Sequence, residues 1–159
     1  MEQVSSKEAA IAAHLGKLKA ICDRGFALAI QIRYTRPTLL YQTYDQAWAD
    51  RYSEKGYMLS DPVVGWGLGN TGWVEWATLT PHDPVGVIAD AVAHGLTNGW
   101  TYSTGPSSSR TIAGLPRSGA PFSEADRAEM SRIVDHVHAL TEGFESFPPA
   151  LQDRLRGLA

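Results

Sequence analysis

The sequence predicts a single α/β domain in which helices cover a mostly antiparallel sheet. Three observations carry this expectation. Apolar residues recur at helical spacing near both ends of the chain. Between those ends, strand-like segments come mainly in adjacent pairs, which fits hairpins better than a doubly wound parallel sheet. A length of 159 residues, 43% hydrophobic and 19% charged, is one globular domain's worth with enough apolar side chains for a core.

The elements follow in order. A first helix is expected over residues 6–22, with Ser5 and Glu8 at capping-box spacing and Ile11, Leu15, Leu18 and Cys22 as one apolar stripe. Residues 26–34 read as a strand that Pro37 breaks, and residues 39–43 as its hairpin partner. Residues 45–55 form a second helix, stopped by Gly56. Asp61-Pro62 opens a short third helix, because Asp caps well and Pro suits the first helical position; Asp83-Pro84 repeats the signal for a helix through Ala93. Residues 73–79 read as a short strand or bend, and residues 99–104 and 109–115 as two more strands. Ser123 and Asp126 start the last long helix, which reaches about Thr141. Pro148-Pro149 breaks any continuation, and residues 151–158 have room for a last turn or two of helix.

Composition excludes several function classes. A net charge of −3 argues against a broad grip on phosphate backbones, so no nucleic-acid contact by this chain alone is expected. One cysteine excludes an internal disulfide framework and any multi-thiolate zinc site. No apolar run approaches the roughly 20 residues that span a bilayer, and the N-terminal residues carry two Glu and no apolar core of a secretory signal, so a cytoplasmic protein is expected.

Few familiar catalytic patterns are present. Residues 67–72, GLGNTG, match G-x-G-x-x-G literally, yet a dinucleotide site needs a strand before the glycines and a long helix after them. Here a short helix precedes and an aromatic stretch follows, so a flexible turn is expected. Neither G-x-S-x-G nor H-E-x-x-H occurs. His136 and His138, two apart on a helix, face different sides and make poor joint metal ligands. Cys22 lies on an apolar stripe and reads as a small core residue. No cofactor, metal or catalytic residue is expected.

The aromatic residues say more. Tyr44, Trp48 and Tyr52 stand at i, i+4 and i+8, one stripe of the second helix. Core packing accounts for the stripe, but a buried Trp N–H and Tyr O–H need polar partners. Asp61 follows, with helix capping as its simplest role. Taken together, Tyr44-x3-Trp48-x3-Tyr52-x8-Asp61-Pro62 resembles the signature of the acyl-homoserine-lactone (autoinducer)-binding domain of LuxR-type quorum-sensing transcriptional regulators. Trp76 falls where that family has a pocket Trp. The run Gly95-Leu96-Thr97-Asn98-Gly99-Trp100-Thr101 resembles the family's G-L-x-x-G-x-T/S stretch, and residues 109–126 its final strand and last helix start. The likeness covers about residues 10–141.

The resemblance implies an α/β/α sandwich, helices on both faces of the sheet and a ligand between the sheet and one helical layer. It implies that Trp48 N–H meets a lactone carbonyl, Asp61 accepts the ligand's amide N–H, and Tyr44 O–H meets the acyl carbonyl. Tyr52, Val63, Trp76, Leu96 and Trp100 would wall the head and tail. A neutral amphiphile of this kind needs such a set of few polar groups in an apolar sleeve. Two departures stand out. Where the family usually has Ser or Thr on the final strand, this chain has Gly114, with Thr111 nearby as the remaining hydroxyl. The family's helix-turn-helix domain has no counterpart after Pro149: either this is a sensor domain cut from a longer regulator, or the natural protein lacks a DNA-binding half. Residues 1–147 are thus expected to form a ligand-sensing domain and residues 148–159 a tail or truncated linker. The expected function is binding an autoinducer and reporting it through folding and homodimer formation. The alternative is an inhibitory partner that forms heterodimers with a full-length LuxR-type regulator.

Overall fold

A computed structural model describes residues 2–159, with side chains from residue 6 onward. The chain forms α1 (Glu2–Ile21), β1 (Ala27–Arg33), β2 (Arg36–Gln42), α2 (Gln46–Glu54), α3 (Pro62–Gly69), β3 (Gly72–Glu75), α4 (Val87–Ala93), β4 (Trp100–Thr104), β5 (Arg110–Leu115), α5 (Glu124–Leu140) and α6 (Pro149–Arg156). Short 3-10 turns at Tyr57–Leu59, Trp76–His82 and Phe144–Ser146 link them. The five strands make one antiparallel sheet in the order β2-β1-β5-β4-β3. Pairing of β1 with β5 joins the two hairpins, so the middle of the sheet is built from residues far apart in sequence, from Ala27 opposite Gly114 to Ile32 opposite Arg110.

Helices cover both faces, as an α/β/α sandwich requires. On one face α1, α5 and α6 pack over Phe26, Leu28, Ile30, Leu39, Tyr41, Ala113 and Leu115. The α1 stripe of Ile11, Leu15 and Leu18 is buried there with Cys22 just past the helix end. On the opposite face a smaller cluster joins Trp48, Tyr57, Val63, Trp76, Val87, Ile88, Ala91 and Leu96. Strand alternation explains the division, because successive side chains of a strand point to opposite faces.

Several boundaries differ from the sequence expectation. Helix α1 begins at Glu2, so Ser5 lies inside it and not at its cap; the Ser5 side chain lies outside the described residues. Pro37 does not end the first strand, which stops at Arg33 before a turn; it lies within β2, which starts at Arg36, and pairs opposite Ile32. β2 is an edge strand, where a missing N–H costs little. Pro84 is not the first residue of α4. Instead the Asp83 carboxylate reaches forward and accepts from the N–H groups of Gly86, Val87 and Ile88. The α5 start is as expected, a capping box between Ser123 and Asp126. The short last helix expected over residues 151–158 begins earlier, at Pro149, and packs on the domain: Leu151 and Leu155 are buried, and the Tyr41 hydroxyl donates to the Leu155 carbonyl at 2.6 Å.

Candidate functional site

A cavity of about 760 Å³ lies between the sheet and the layer formed by α2, α3 and α4. Its floor is β1 and β5: Ala27, Ala29 and Ile32 from the first, Ile112 and Gly114 from the second. Ala27 pairs with Gly114, so two small residues lie side by side and leave volume open there, and Ala29 lies beside Ile112. Close packing of α3 on β5 bounds the cavity. A Cβ at Gly67 would come within 2.7 Å of Ile112, so only glycine permits that approach. The GLGNTG match therefore has a packing role: Gly67 and Gly69 finish a helix and Gly72 opens a strand, the reverse of a dinucleotide site.

The polar groups cluster beside Gly114. The Tyr44 hydroxyl donates to the Gly114 carbonyl at 3.3 Å. Asp61 uses both carboxylate oxygens: Oδ1 accepts from the Val63 N–H at 2.9 Å, capping α3, and Oδ2 accepts from the Tyr52 hydroxyl at 2.7 Å. Trp76 Nε1 donates to Thr101 Oγ1 at 2.9 Å, and its ring lies flat over Gly99, where a Cβ would sit 2.1 Å from the indole. Trp48 is 4% exposed, is packed against Tyr52, Tyr57 and His94, and has no acceptor for its indole N–H among the described residues. Outside this layer of aromatic rings, the Arg51 guanidinium and the Tyr57 hydroxyl both donate to Asp90 Oδ2, which ties α2 and the 57–59 turn to α4.

Burial sets the electrostatics. It pushes the Asp61 carboxyl above the usual carboxylate range, against the opposing pull of the Tyr52 and Val63 donors. It pushes the Tyr44 hydroxyl upward, with Cys22 and the Asp61 charge adding to the effect. The Tyr52 hydroxyl moves the same way for the same first cause, followed by Asp61. Both phenols are neutral donors at any physiological pH, and Asp61 is the one acidic acceptor lining the cavity. Asp90 is the opposite case: its hydrogen bond from Arg51 holds it below the usual range.

Of the ten residues singled out in the sequence, the cavity brings together Tyr44, Trp48, Tyr52, Asp61, Val63, Trp76, Leu96 and Gly114. It does not include Trp100 or Thr111. Trp100 packs under the Arg127 guanidinium of α5, and the Thr111 hydroxyl meets His138 Nδ1 at 2.6 Å, also on α5. The physical reason is strand parity. Thr111 stands three residues from Gly114, an odd step that puts it on the other face. It cannot replace the missing hydroxyl at position 114. The polar site around Thr111 is itself occupied: Gln31, in a β1 bulge at φ +52°, bonds to the His138 carbonyl, and its N–H donates to Thr111 Oγ1. Sequence reasoning passed over Ala27, Ala29 and Ile112. Their signal was the alternation of small residues along β1, which reads as ordinary strand until its partner strand is known.

Residues 6–142 match the family model described as "Autoinducer binding domain". The chain belongs to the autoinducer-binding domain family. No curated protein matches it. Among solved structures, this autoinducer-binding domain is similar to Escherichia coli SdiA, with 21% identity over 92% of this chain and a TM-score of 0.64. SdiA in complex with octanoyl-rac-glycerol gives 21% identity over 91% of the chain and a TM-score of 0.63. The chain spans 63% and 62% of those two SdiA chains. CepR2 from Burkholderia cenocepacia, described as an N-acylhomoserine lactone dependent LuxR family transcription factor, gives 14% identity and a TM-score of 0.60 over 96% of this chain and 98% of its own. At such identities these neighbours establish the shared sandwich fold. As an autoinducer-binding domain, residues 6–142 are a ligand-sensing module. No helix of the described residues is long and apolar enough to cross a membrane, and they contain no cluster of three metal-ligating side chains.

Proposed function

We propose that the domain binds an N-acyl homoserine lactone and reports it through ligand-dependent folding and self-association in the cytoplasm. The observation that carries this reading is the composition of the cavity: two donors, Trp48 N–H and Tyr44 O–H, and one acidic acceptor, Asp61, in a lining that is mostly apolar, with Tyr44 at Gly114. An acyl homoserine lactone offers the complement, with two carbonyls, one amide N–H and a hydrocarbon tail. Trp48 would donate to the lactone carbonyl, and Tyr44 to the acyl carbonyl in exchange for its long 3.3 Å bond to the Gly114 carbonyl. Asp61 would accept the amide N–H through the lone pairs its two internal donors leave free. Each neutral hydrogen bond contributes about 1 kcal/mol net and each buried methylene about 0.8, so the polar groups select the head while the tail supplies most of the affinity.

Gly114 supports a second reading for the ligand's identity. With no hydroxyl on that strand position, the acyl carbonyl depends on Tyr44, and an amphiphile with a different polar head loses less by comparison. SdiA, a structural neighbour, has been solved with octanoyl-rac-glycerol. Native mass spectrometry of protein expressed with and without a mixture of acyl homoserine lactones tests the proposal. A bound mass that extraction identifies as a lactone is expected. Folded protein that carries only another amphiphile, or none, would overturn it.

A further inference from the structure

Resting on the reading of this cavity as an amphiphile site, we infer that it is built for a long acyl tail, of ten carbons or more, whose far half lies in an open-sided slot along β1. The head end is fixed by Tyr44 and Gly114, with Ala27 as Gly114's pairing partner. From there the cavity floor continues through Ala29 to Ile32, and on to Thr35 in the β1–β2 turn. The ladder from Ala27–Gly114 to Ile32–Arg110 covers about 13 Å at roughly 3.3 Å per residue of β5. A C–C bond of about 1.52 Å advances an extended chain by about 1.25 Å, so this floor accommodates about ten bonds. Its first half on β1 is walled only by alanines, Ala27 and Ala29, with Ile112 alongside on β5 and Ile32 at the far end.

The side walls show where the slot meets solvent. On the α4 side the lining is closed: Trp76 is 7% exposed and Ile88 6%. On the β2 side the lining is apolar and exposed: Leu40 is 54% exposed, Met58 50% and Leu59 94%. Leu40 is paired opposite Ala29, so it flanks the middle of the slot. Met58 and Leu59 come from the short turn between α2 and α3, across from it. Three large apolar side chains that border one cavity and also face water are the unusual feature of this surface, and a hydrocarbon chain between them removes area from each. A hexanoyl tail would reach no further than Leu40, and a tail of ten or more carbons would run past it along the whole floor. The chemical class implied is thus a long-chain amphiphile, with selectivity for tail length set by Ala29, Leu40, Met58 and Leu59 and selectivity for the head set at the other end.

The test is a tail-length series measured by titration calorimetry and thermal shift. The ligands are homoserine lactones with hexanoyl, octanoyl, decanoyl and dodecanoyl tails, alongside 1-acylglycerols with the same tails. Affinity is expected to rise about two- to fourfold per added methylene through the dodecanoyl compound. Leu59→Asp replaces a side chain too exposed to matter for folding, and it should cut dodecanoyl affinity about tenfold while leaving the hexanoyl value within twofold. Ala29→Leu narrows the slot about five bonds from the head, so it should weaken the octanoyl and longer compounds more than the hexanoyl one. A maximum at octanoyl or below, with no chain-length-dependent effect of either variant, would overturn the slot while leaving the lactone reading intact. If no lactone binds at all, the proposed function fails, and the acylglycerol series then decides the slot by the same criterion: rising affinity keeps it, a flat series ends it.

Discussion

Asp61 illustrates how one side chain serves fold and site together. One oxygen caps α3 and the other holds Tyr52, so its charge lies inside the wall of the cavity. Burial raises its folded-state pKa above the unfolded value. The ionised form therefore costs stability: Asp61's contribution is most favourable below the unfolded pKa and is lost as pH rises through the folded one. Asp61→Asn keeps a good capping residue and removes that cost. The ligand-free variant should melt at or above the wild-type temperature at neutral pH, and the difference should shrink as the solution is acidified. Affinity should move the other way, falling ten- to a hundredfold, since hydrogen bonds to charged groups are worth about 1.5–3 kcal/mol. Calorimetric titration and thermal melts of both proteins across the acidic range check the two signs. Gly114→Ser tests the neighbouring departure. A Cβ there meets the Tyr44 oxygen at 3.3 Å and Trp76 at 3.7 Å, contacts that a small shift of the Tyr44 ring relieves. A restored hydroxyl should raise lactone affinity about two- to tenfold. A fall for every lactone tried would point to a cavity retuned to a different head.

At the scale of elements, most of the fold was legible in the sequence because the signals were local. The α1 stripe, the Asp61-Pro62 start of α3 and the Ser123–Asp126 box each act within one or two turns of chain. The misread boundaries have two different causes: Pro37 is tolerated because β2 is an edge, which only the sheet order reveals, and Pro84 is bypassed because the Asp83 carboxylate, one residue before it, reaches over it to the N–H groups of Gly86, Val87 and Ile88. In the site, the aromatic stripe and Asp61 were readable from spacing, while the faces of Trp100 and Thr111 required strand parity, and the alanine floor required the pairing of β1 with β5. Residues 149–156 lacked any sequence pattern strong enough to mark them as part of the core. Yet Leu155 is fully buried beneath the sheet's edge strand and its carbonyl holds Tyr41. Leu155→Ala should cost about 2–5 kcal/mol in chemical denaturation. A loss under 1 kcal/mol would mean that α6 is only resting on the domain.

For the molecule as a whole, the two helical layers have different tasks. The face under α1, α5 and α6 is a filled core, and the face under α2, α3 and α4 encloses the cavity. A ligand that binds only the folded state adds stability by mass action, about 2.7 kcal/mol at a hundredfold excess over Kd. Melting temperature should accordingly rise with the logarithm of ligand concentration once the site is saturated. With a net charge of −3, this chain alone should give no sequence-specific shift of a promoter fragment at physiological salt. The placement of the indoles adds a practical consequence. Of five tryptophans, Trp48 and Trp76 line the cavity, whereas Trp73 and Trp100 pack against each other and Tyr102 on the α5 side of the sheet. The protein thus contains two fluorophores at the site, two screened from it by a β-sheet, and Trp66 on α3 outside the cavity lining, which Trp66→Phe removes from the spectrum. Ligand entry should shift emission from the first pair and leave the second as an internal reference, so occupancy is readable from the spectrum of the unlabelled protein.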